Sequence, residues 1–462
     1  MTTLRARDAK DVEAAVQWLL AESKAAEIVG HGSKRSIGRP AQTDVTLDLS
    51  ALSGVTLYEP EELVLSARAG TPLAEIEALV AAKGQQLAFE PMDCAAVLGG
   101  AAGRGTVGGV LAANLSGPRR IKAGAARDHL LGFVAVSGRG ECFKSGGRVV
   151  KNVTGYDLCK LMAGSWGTLA AMTEVTLKVL PAPETEETVL IRGLEPGKAI
   201  AAMTGAMTAP CDISGAAHLP AEVAARLPAG SAASGGAAVT ALRLEGFAPS
   251  VAHRRGLTEA LMKPFGELVT LDAPASRTLW KAVRDAGPLG FAHSIHPPLK
   301  GEGRIGAGKA TQPAQARLRG DPGRGLASDP HPIASRSTSP LQGEVTRNDE
   351  RPLWRISTEP SRGAELGALI AREAEAQMLY DWAGGLLWLA LEACDDAGMA
   401  IVGRAVAAIG GHATLIRAPA AVRAAVDVFP VQDAAVAALT KRIKAGFDPS
   451  GVLNPGRMWA GV

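Results

Sequence analysis

No pair of cysteines in this 462-residue sequence is spaced as C-x-x-C. The five that occur, Cys94, Cys142, Cys159, Cys211 and Cys394, are scattered, which removes the thiolate spacing of iron–sulfur clusters and structural zinc sites, so no metal is expected. An odd, dispersed set fits a reducing compartment. Charge imbalance is also missing: 49 Lys and Arg against 46 Asp and Glu leave a net charge of +3, which gives no dense basic face for nucleic acid. No window approaches the roughly 18 unbroken apolar residues of a membrane span. The N-terminal stretch sets charges among its apolar residues and has no secretory h-region. A cytoplasmic protein is expected, with any membrane association peripheral and made through partner subunits.

The length exceeds what one hydrophobic core usually serves, so two or more domains are expected. Apolar residues recur at helical spacing from Val12 to Leu20, and Glu27-Ile28-Val29 then runs into Gly30-His31-Gly32. Thr71-Pro72, followed by Leu73, Ile76, Leu79 and Val80 and closed by Gly84, predicts a helix with Thr71 as its cap. Thr46 to Leu49, Leu63 to Ala67, Phe133 to Ser137 and Val175 to Val179 read as strands, which makes residues 1–181 a mixed α and β unit. Pro181-Ala182-Pro183 marks a boundary. Beyond it, Val239 to Leu244, Leu353 to Ser357, Gly385 to Leu391 and His412 to Arg417 alternate with Ala-rich helices, predicting a smaller α+β cap over 182–420. Within the cap, residues 294–350 are rich in Pro, Gly, Arg and Ser and too poor in apolar side chains to offset backbone entropy, so a disordered insertion is expected there.

Two glycine-rich segments carry chemistry. Val29-Gly30-His31-Gly32-Ser33-Lys34 and Gly103-Arg104-Gly105-Thr106-Val107-Gly108-Gly109 both let backbone approach a large anionic group closely, as a dinucleotide pyrophosphate requires. Either alone could be an ordinary turn. The second also satisfies G-x-G-x-x-G with Asp128 about 20 residues on, the Rossmann fingerprint, but Gly99-Gly100-Ala101-Ala102 make a poor feeding strand.

A third segment runs from Gly146 through Lys151-Asn152-Val153-Thr154-Gly155-Tyr156-Asp157-Leu158 to Gly164-Ser165-Trp166-Gly167-Thr168-Leu169, and the sequence closes with Phe447-Asp448-Pro449-Ser450-Gly451-Val452-Leu453-Asn454-Pro455-Gly456-Arg457. In this order the motifs resemble the VAO/PCMH-type FAD-binding flavoproteins, and among them the FAD-binding E subunits of glycolate oxidases. The resemblance implies an α+β fold in which a PCMH-type domain of two α+β subdomains carries the cap, and 421–462 returns to the flavin domain. It implies FAD held by Gly30, His31, Gly32 and Ser33, with Thr106, Gly108 and Gly109 as the second wall. Asn114, Ser116 and Gly117 would lie beside the ribityl chain and flavin ring, and Gly164, Ser165, Gly167, Thr168 and Asn454 would close on the nucleotide. Relatives that tether flavin do so through a histidine after the paired glycines; Ser33 stands there, so non-covalent FAD is expected.

Oxidising a 2-hydroxy acid needs a carboxylate anchor and a base near the hydroxyl. Arg243, Arg355, Arg404 and Arg417 on cap segments are possible anchors, Arg243 and Arg417 being preferred, and His412 is the candidate base. Only His412 remains of the histidine-rich substrate motif of the catalytic dehydrogenases, so a catalytic FAD subunit and an iron–sulfur subunit are the implied partners, with glycolate oxidised to glyoxylate. A free-standing D-lactate-type dehydrogenase and a non-catalytic FAD-holding scaffold are the competing readings.

Overall fold

The computed structural model describes residues 2–148, 155–231, 236–291 and 351–462. Lys151 to Thr154 of the third motif and the insertion expected over 294–350 lie outside the described residues.

The helical spacing near the N-terminus becomes helix Ala9–Ala21, whose Val12, Val16 and Leu19 are buried. Asp8 caps it, its carboxylate accepting from Asp11 N at 2.9 Å. That helix covers a three-stranded parallel sheet in which Val45–Asp48 lies between Thr2–Arg5 and Ala26–Val29. A second, antiparallel sheet runs in the order Val55–Glu59, Val64–Arg68, Ala170–Lys178, Leu130–Ser137 and Cys142–Gly146. The helix predicted from Thr71 spans Leu73–Ala81, but Thr71 does not cap it. Its hydroxyl, fully buried, instead donates to Arg68 O at 2.6 Å and accepts from Gly54 N at 3.0 Å, because the chain entering the helix is wedged between those two loops.

Beyond Pro181 the cap is built on an eight-stranded sheet, in the order Leu268–Leu271, Thr185–Arg192, Val239–Gly246, Gly215–Leu219, Ala376–Asp381, Leu386–Leu391, Leu353–Ser357 and His412–Arg417. All its pairings are antiparallel. Side chains of paired residues share a face. Register therefore puts Thr188, Arg243 and Gly215 on one side together with Asp381, Trp388, Arg355 and His412. Helices Pro196–Thr208, Ala248–Met262, Gly363–Ala371 and Met399–Ile409 pack around this sheet.

After helix Ala434–Phe447 the chain returns to the N-terminal parallel sheet: Leu453 bridges Ala26, Ala26 N donates to Val452 O at 2.8 Å, and Asn454 N donates to Ala26 O at 2.9 Å. No helix among the described residues is long and apolar enough to cross a membrane.

Candidate cofactor and substrate site

Strand Ala26–Val29 delivers the first glycine segment, and Gly32 takes the left-handed conformation at φ +74°. The backbone N–H groups of His31, Gly32 and Ser33 have no hydrogen-bond acceptor among the described residues. Together with Gly30 these residues line a cavity of about 480 Å3 with Lys34, Trp166 and Arg457. Lys34 is 8 % exposed and forms no ion pair among the described residues, and Arg457 has a buried Nε without an acceptor. Consecutive open N–H donors beside two desolvated cations form a concavity for an anion of several oxygens.

The opposite wall works differently. Thr106 caps helix Val107–Ala113, and its Oγ1 accepts from Gly109 N at 3.3 Å. Val107 N and Gly108 N donate to Thr71 O and Ala69 O, so this segment contributes shape rather than donors. A Cβ on Gly30 would stand 2.6 Å from Thr106 Oγ1; the two segments approach so closely that one must be glycine there. A Cβ on Gly108 would meet Ala69 Cβ at 2.7 Å and Ala69 O at 2.8 Å, inside the protein, whereas one on Gly109 would meet only Thr106 Oγ1 at 3.1 Å. A second cavity, of about 450 Å3, shares Gly30, Thr106, Gly109 and Trp166 with the first and continues to Gly108, Gly167 and Asn454. A dinucleotide diphosphate fits this cradle: donors on one side, a glycine surface on the other, cations at the rim.

Several residues expected to touch the cofactor have side chains committed to the protein instead. Asn114 ends helix Val107–Ala113 in the left-handed region, and its Oδ1 accepts from Arg127 N at 3.0 Å. Ser116 Oγ accepts from Ala126 N at 2.9 Å. Gly117 is hemmed in, since a Cβ would lie 2.8 Å from both Arg284 Cγ and Glu90 Cβ. Gly164 N and Trp166 N bond to Leu111 O and Ala112 O, which fixes the 164–168 loop against the helix. Ser165 is 7 % exposed and its carbonyl accepts the hydroxyl of buried Thr168, so both brace the loop from inside. Asn454 accepts from Ile28 N at 2.9 Å and donates to Trp166 O at 2.7 Å, tying strand, loop and C-terminal segment together. Their contribution is to position Gly30, Gly109 and Gly167.

Two expected substrate anchors are corrected. Arg243 is 1 % exposed and donates to both carboxylate oxygens of Glu90, at 2.7 and 2.9 Å, while Arg119 grips Glu245 at 2.7 and 3.0 Å. Burial opposes ionisation of Glu245, but Arg243 and Arg119 outweigh it and hold the carboxyl down at about 2. This four-residue cluster fastens the cap sheet to the N-terminal unit and commits both terminal nitrogens of Arg243 to Glu90, while its buried Nε, without a hydrogen-bond acceptor, lies 3.6 Å from Glu245. Arg417 donates to Arg351 O, Val97 O and Leu289 O. Arg404, also considered, pairs with Glu373 on the surface.

Of the arginines weighed, Arg355 is left. Its side chain makes no hydrogen bond or ion pair among the described residues; its Nη2 is buried without an acceptor, and its guanidinium lies over the rings of Trp382 and Trp388. Arg120, likewise without an ion pair among the described residues, lies over Trp382 at 4.3 Å. Trp382 Nε1 donates to Gly117 O at 3.1 Å, which sets this group directly against the 114–117 segment. His412 opens to solvent at the first position of the edge strand, with partial desolvation and then Arg355 and Arg120 holding its imidazole below the usual range. Asp381, at the end of its strand, is 1 % exposed, and burial pushes its carboxyl up to about 7 despite a 2.7 Å hydrogen bond from Trp382 N. Sequence reasoning missed Trp382 and Asp381; the cluster Asp381-Trp382-Ala383-Gly384-Gly385 at a strand end is the signal that could have found them.

Residues 2–146 match the family model described as "FAD binding domain". The chain is 45 % identical over 156 residues to the glycolate oxidase subunit GlcE of Escherichia coli, a match covering 34 % of this chain and 42 % of that protein. It is 42 % identical over 85 residues to the glycolate oxidase subunit GlcD of Bacillus subtilis, covering 18 % of each. These matches thus span less than half the length of either relative. Among solved structures, an alkyldihydroxyacetonephosphate synthase is similar in fold, with a TM-score of 0.64 at 13 % identity over 98 % of this chain and 75 % of that one.

Proposed function

We propose that this chain, whose residues 2–146 match the FAD binding domain model, is the FAD-carrying subunit of a glycolate oxidase complex. The observation that carries the reading is the row of open N–H groups at His31, Gly32 and Ser33, set beside Lys34 and Arg457 and facing Thr106 and Gly109. Those residues hold the diphosphate of FAD, and Ser33 leaves the cofactor untethered. Bound there, FAD supplies a two-electron acceptor for the C2–H of a 2-hydroxy acid. His412, kept neutral near pH 7 by its lowered pKa, accepts the hydroxyl proton. Glycolate loses two electrons and two protons and leaves as glyoxylate. The five free and dispersed cysteines offer no onward carrier, and the resemblance to both GlcE and GlcD supports a heteromeric assembly in which an iron–sulfur subunit takes the electrons.

The test is the anaerobic absorbance spectrum of the purified chain, with glycolate, before and after adding a homologous catalytic subunit and an iron–sulfur subunit. Acid precipitation should leave the yellow colour in the supernatant; colour in the pellet would mean a covalent flavin. The chain alone should bleach slowly with glycolate, and rapidly once its partners are present. A flavin that glycolate never reduces, even in the assembled complex, would leave the scaffold reading standing instead.

A further inference from the structure

Two guanidinium groups meet at Trp382, Arg355 from the cap and Arg120 from the N-terminal unit, and neither side chain makes a hydrogen bond or ion pair among the described residues. Other arginines in this region have partners: Arg243 has Glu90, Arg119 has Glu245 and Arg417 has three carbonyls. Leaving a buried charged donor unsatisfied costs about 1–3 kcal/mol or more. Arg355 bears that cost at its Nη2, and Arg120 lies close enough to disfavour the charge of Arg355 further.

The segment that gathers them is itself unusual. Trp382 and Ala383, neither of them glycine, take φ of +52° and +56°, and Gly384 follows at +103°. Non-glycine residues in that region cost about 1–3 kcal/mol each and persist where surrounding structure fixes them. Here the fixing contacts are the Asp381 carboxylate on Trp382 N and the Trp382 indole on Gly117 O. Their result is an indole held where Arg120 from the N-terminal unit and Arg355 from the cap both lie over it, at 4.3 and 4.9 Å.

We propose that Arg120 and Arg355, gathered by Trp382, form the carboxylate-binding site of this protein, for a small acid bearing a hydroxyl or oxo group beside its carboxylate. The assignment rests on the flavoprotein reading above and replaces Arg243 and Arg417 as anchors. A carboxylate placed between two guanidiniums accepts charge-assisted hydrogen bonds from each, and a ring stacked beneath them keeps the forks planar and oriented. On the same face, Arg355 pairs with Thr414 and Ser357 with His412, so an acid anchored at Arg355 presents its C2 substituents toward the imidazole. Trp382 is a positioning residue; Arg120 and Arg355 are the groups that touch the acid.

The probe is oxalate, a non-oxidisable planar acid, titrated into the FAD-loaded chain by calorimetry, with the flavin-to-protein absorbance ratio read on the same samples. The wild-type chain should bind oxalate, and Arg355→Gln and Arg120→Gln should each weaken binding at least tenfold without changing the flavin ratio or the melting temperature by more than a few degrees. Arg355→Lys, which keeps the charge but not the fork, should fall between. Wild-type affinity in both Gln variants would overturn the proposal, as would a flavin-loaded wild type that takes up no oxalate. A chain with no flavin that still binds oxalate through Arg355 would leave this site standing and sink the cofactor reading, so the two fail separately. Should either Gln variant prove unstable, the Lys variant decides: unchanged affinity there would count against the guanidinium pair.

Discussion

Lys444 donates to the carbonyl oxygen of Thr168 at 2.6 Å, and the same ammonium bonds Asp448 at 2.7 Å and Leu453 O at 2.9 Å. One buried lysine thus joins the loop facing the nucleotide cavity to the C-terminal return. Asp448, 1 % exposed, also accepts from Val452 N and Leu453 N. Lys444→Met would leave that carboxylate buried without its cation, a loss of about 3–5 kcal/mol. Because the 164–168 loop loses its anchor as well, flavin should elute from the variant on gel filtration while wild type retains it. A melting temperature within a degree of wild type would contradict this.

The two adjacent glycines of the second wall should separate folding from cofactor affinity. Gly108→Ala places a Cβ 2.7 Å from Ala69 Cβ and 2.8 Å from its carbonyl oxygen, where backbone must move. Overpacking of this kind costs about 1–3 kcal/mol, so thermal stability should drop. Gly109→Ala meets only Thr106 Oγ1, at 3.1 Å, and projects toward the shared cavities, so the fold should hold and FAD affinity fall. Thermal melts and flavin titration of the two apo-proteins compare them; equal loss of stability in both would show that Gly109 is also a packing position.

Arg243→Met should behave as a structural lesion. With Glu90 and Glu245 left near each other and buried, unfolding free energy should fall by about 3–5 kcal/mol, read from a urea midpoint. Oxalate affinity per folded molecule should stay near that of wild type. Selective loss of oxalate binding in a fully stable Arg243→Met protein would restore Arg243 as the anchor.

Asp381 gives a pH dependence whose sign is opposite to that of a paired carboxylate. Its folded pKa is raised to about 7 from the ordinary 3.8, so ionisation disfavours the folded state. Its stability contribution is fully present below about 3.8 and lost as pH rises through about 7. Asp381→Asn keeps an acceptor for Trp382 N but cannot ionise. The variant should gain on wild type steadily as pH rises from 5 to 8, by a few kcal/mol at most. Parallel stability curves across that range would mean that the carboxyl does not titrate there.

Much of the cofactor cradle was legible because its requirement is local. A backbone that must approach a diphosphate needs glycine at fixed places, and Gly30, Gly32 and Gly109 stand in short contiguous runs. The anchors were not legible, because Arg243 and Arg355 are both arginines set among apolar strand residues and look alike along the chain. What separates them is Glu90, which lies 153 residues before Arg243 in sequence and pairs with that arginine and with Arg119. Strands such as Leu353–Ser357 and His412–Arg417 could be read from composition, yet their neighbours in the eight-stranded sheet could not, since pairing depends on partners far along the chain. Asn454 is expected at the nucleotide; it lines the second cavity, and its side chain holds strand and loop together.

That tie has a consequence for how the protein is made. Asn454 Oδ1 receives the N–H of Ile28 across 426 residues of sequence. The strand that delivers the nucleotide loop is therefore made 426 residues ahead of the amide that pins it. Contacts of such separation close late and slowly. Until Asn454 is made, the first glycine segment lacks the tie that sets it against the Trp166 loop, so the cavity between them takes shape only when segments far apart in sequence have met.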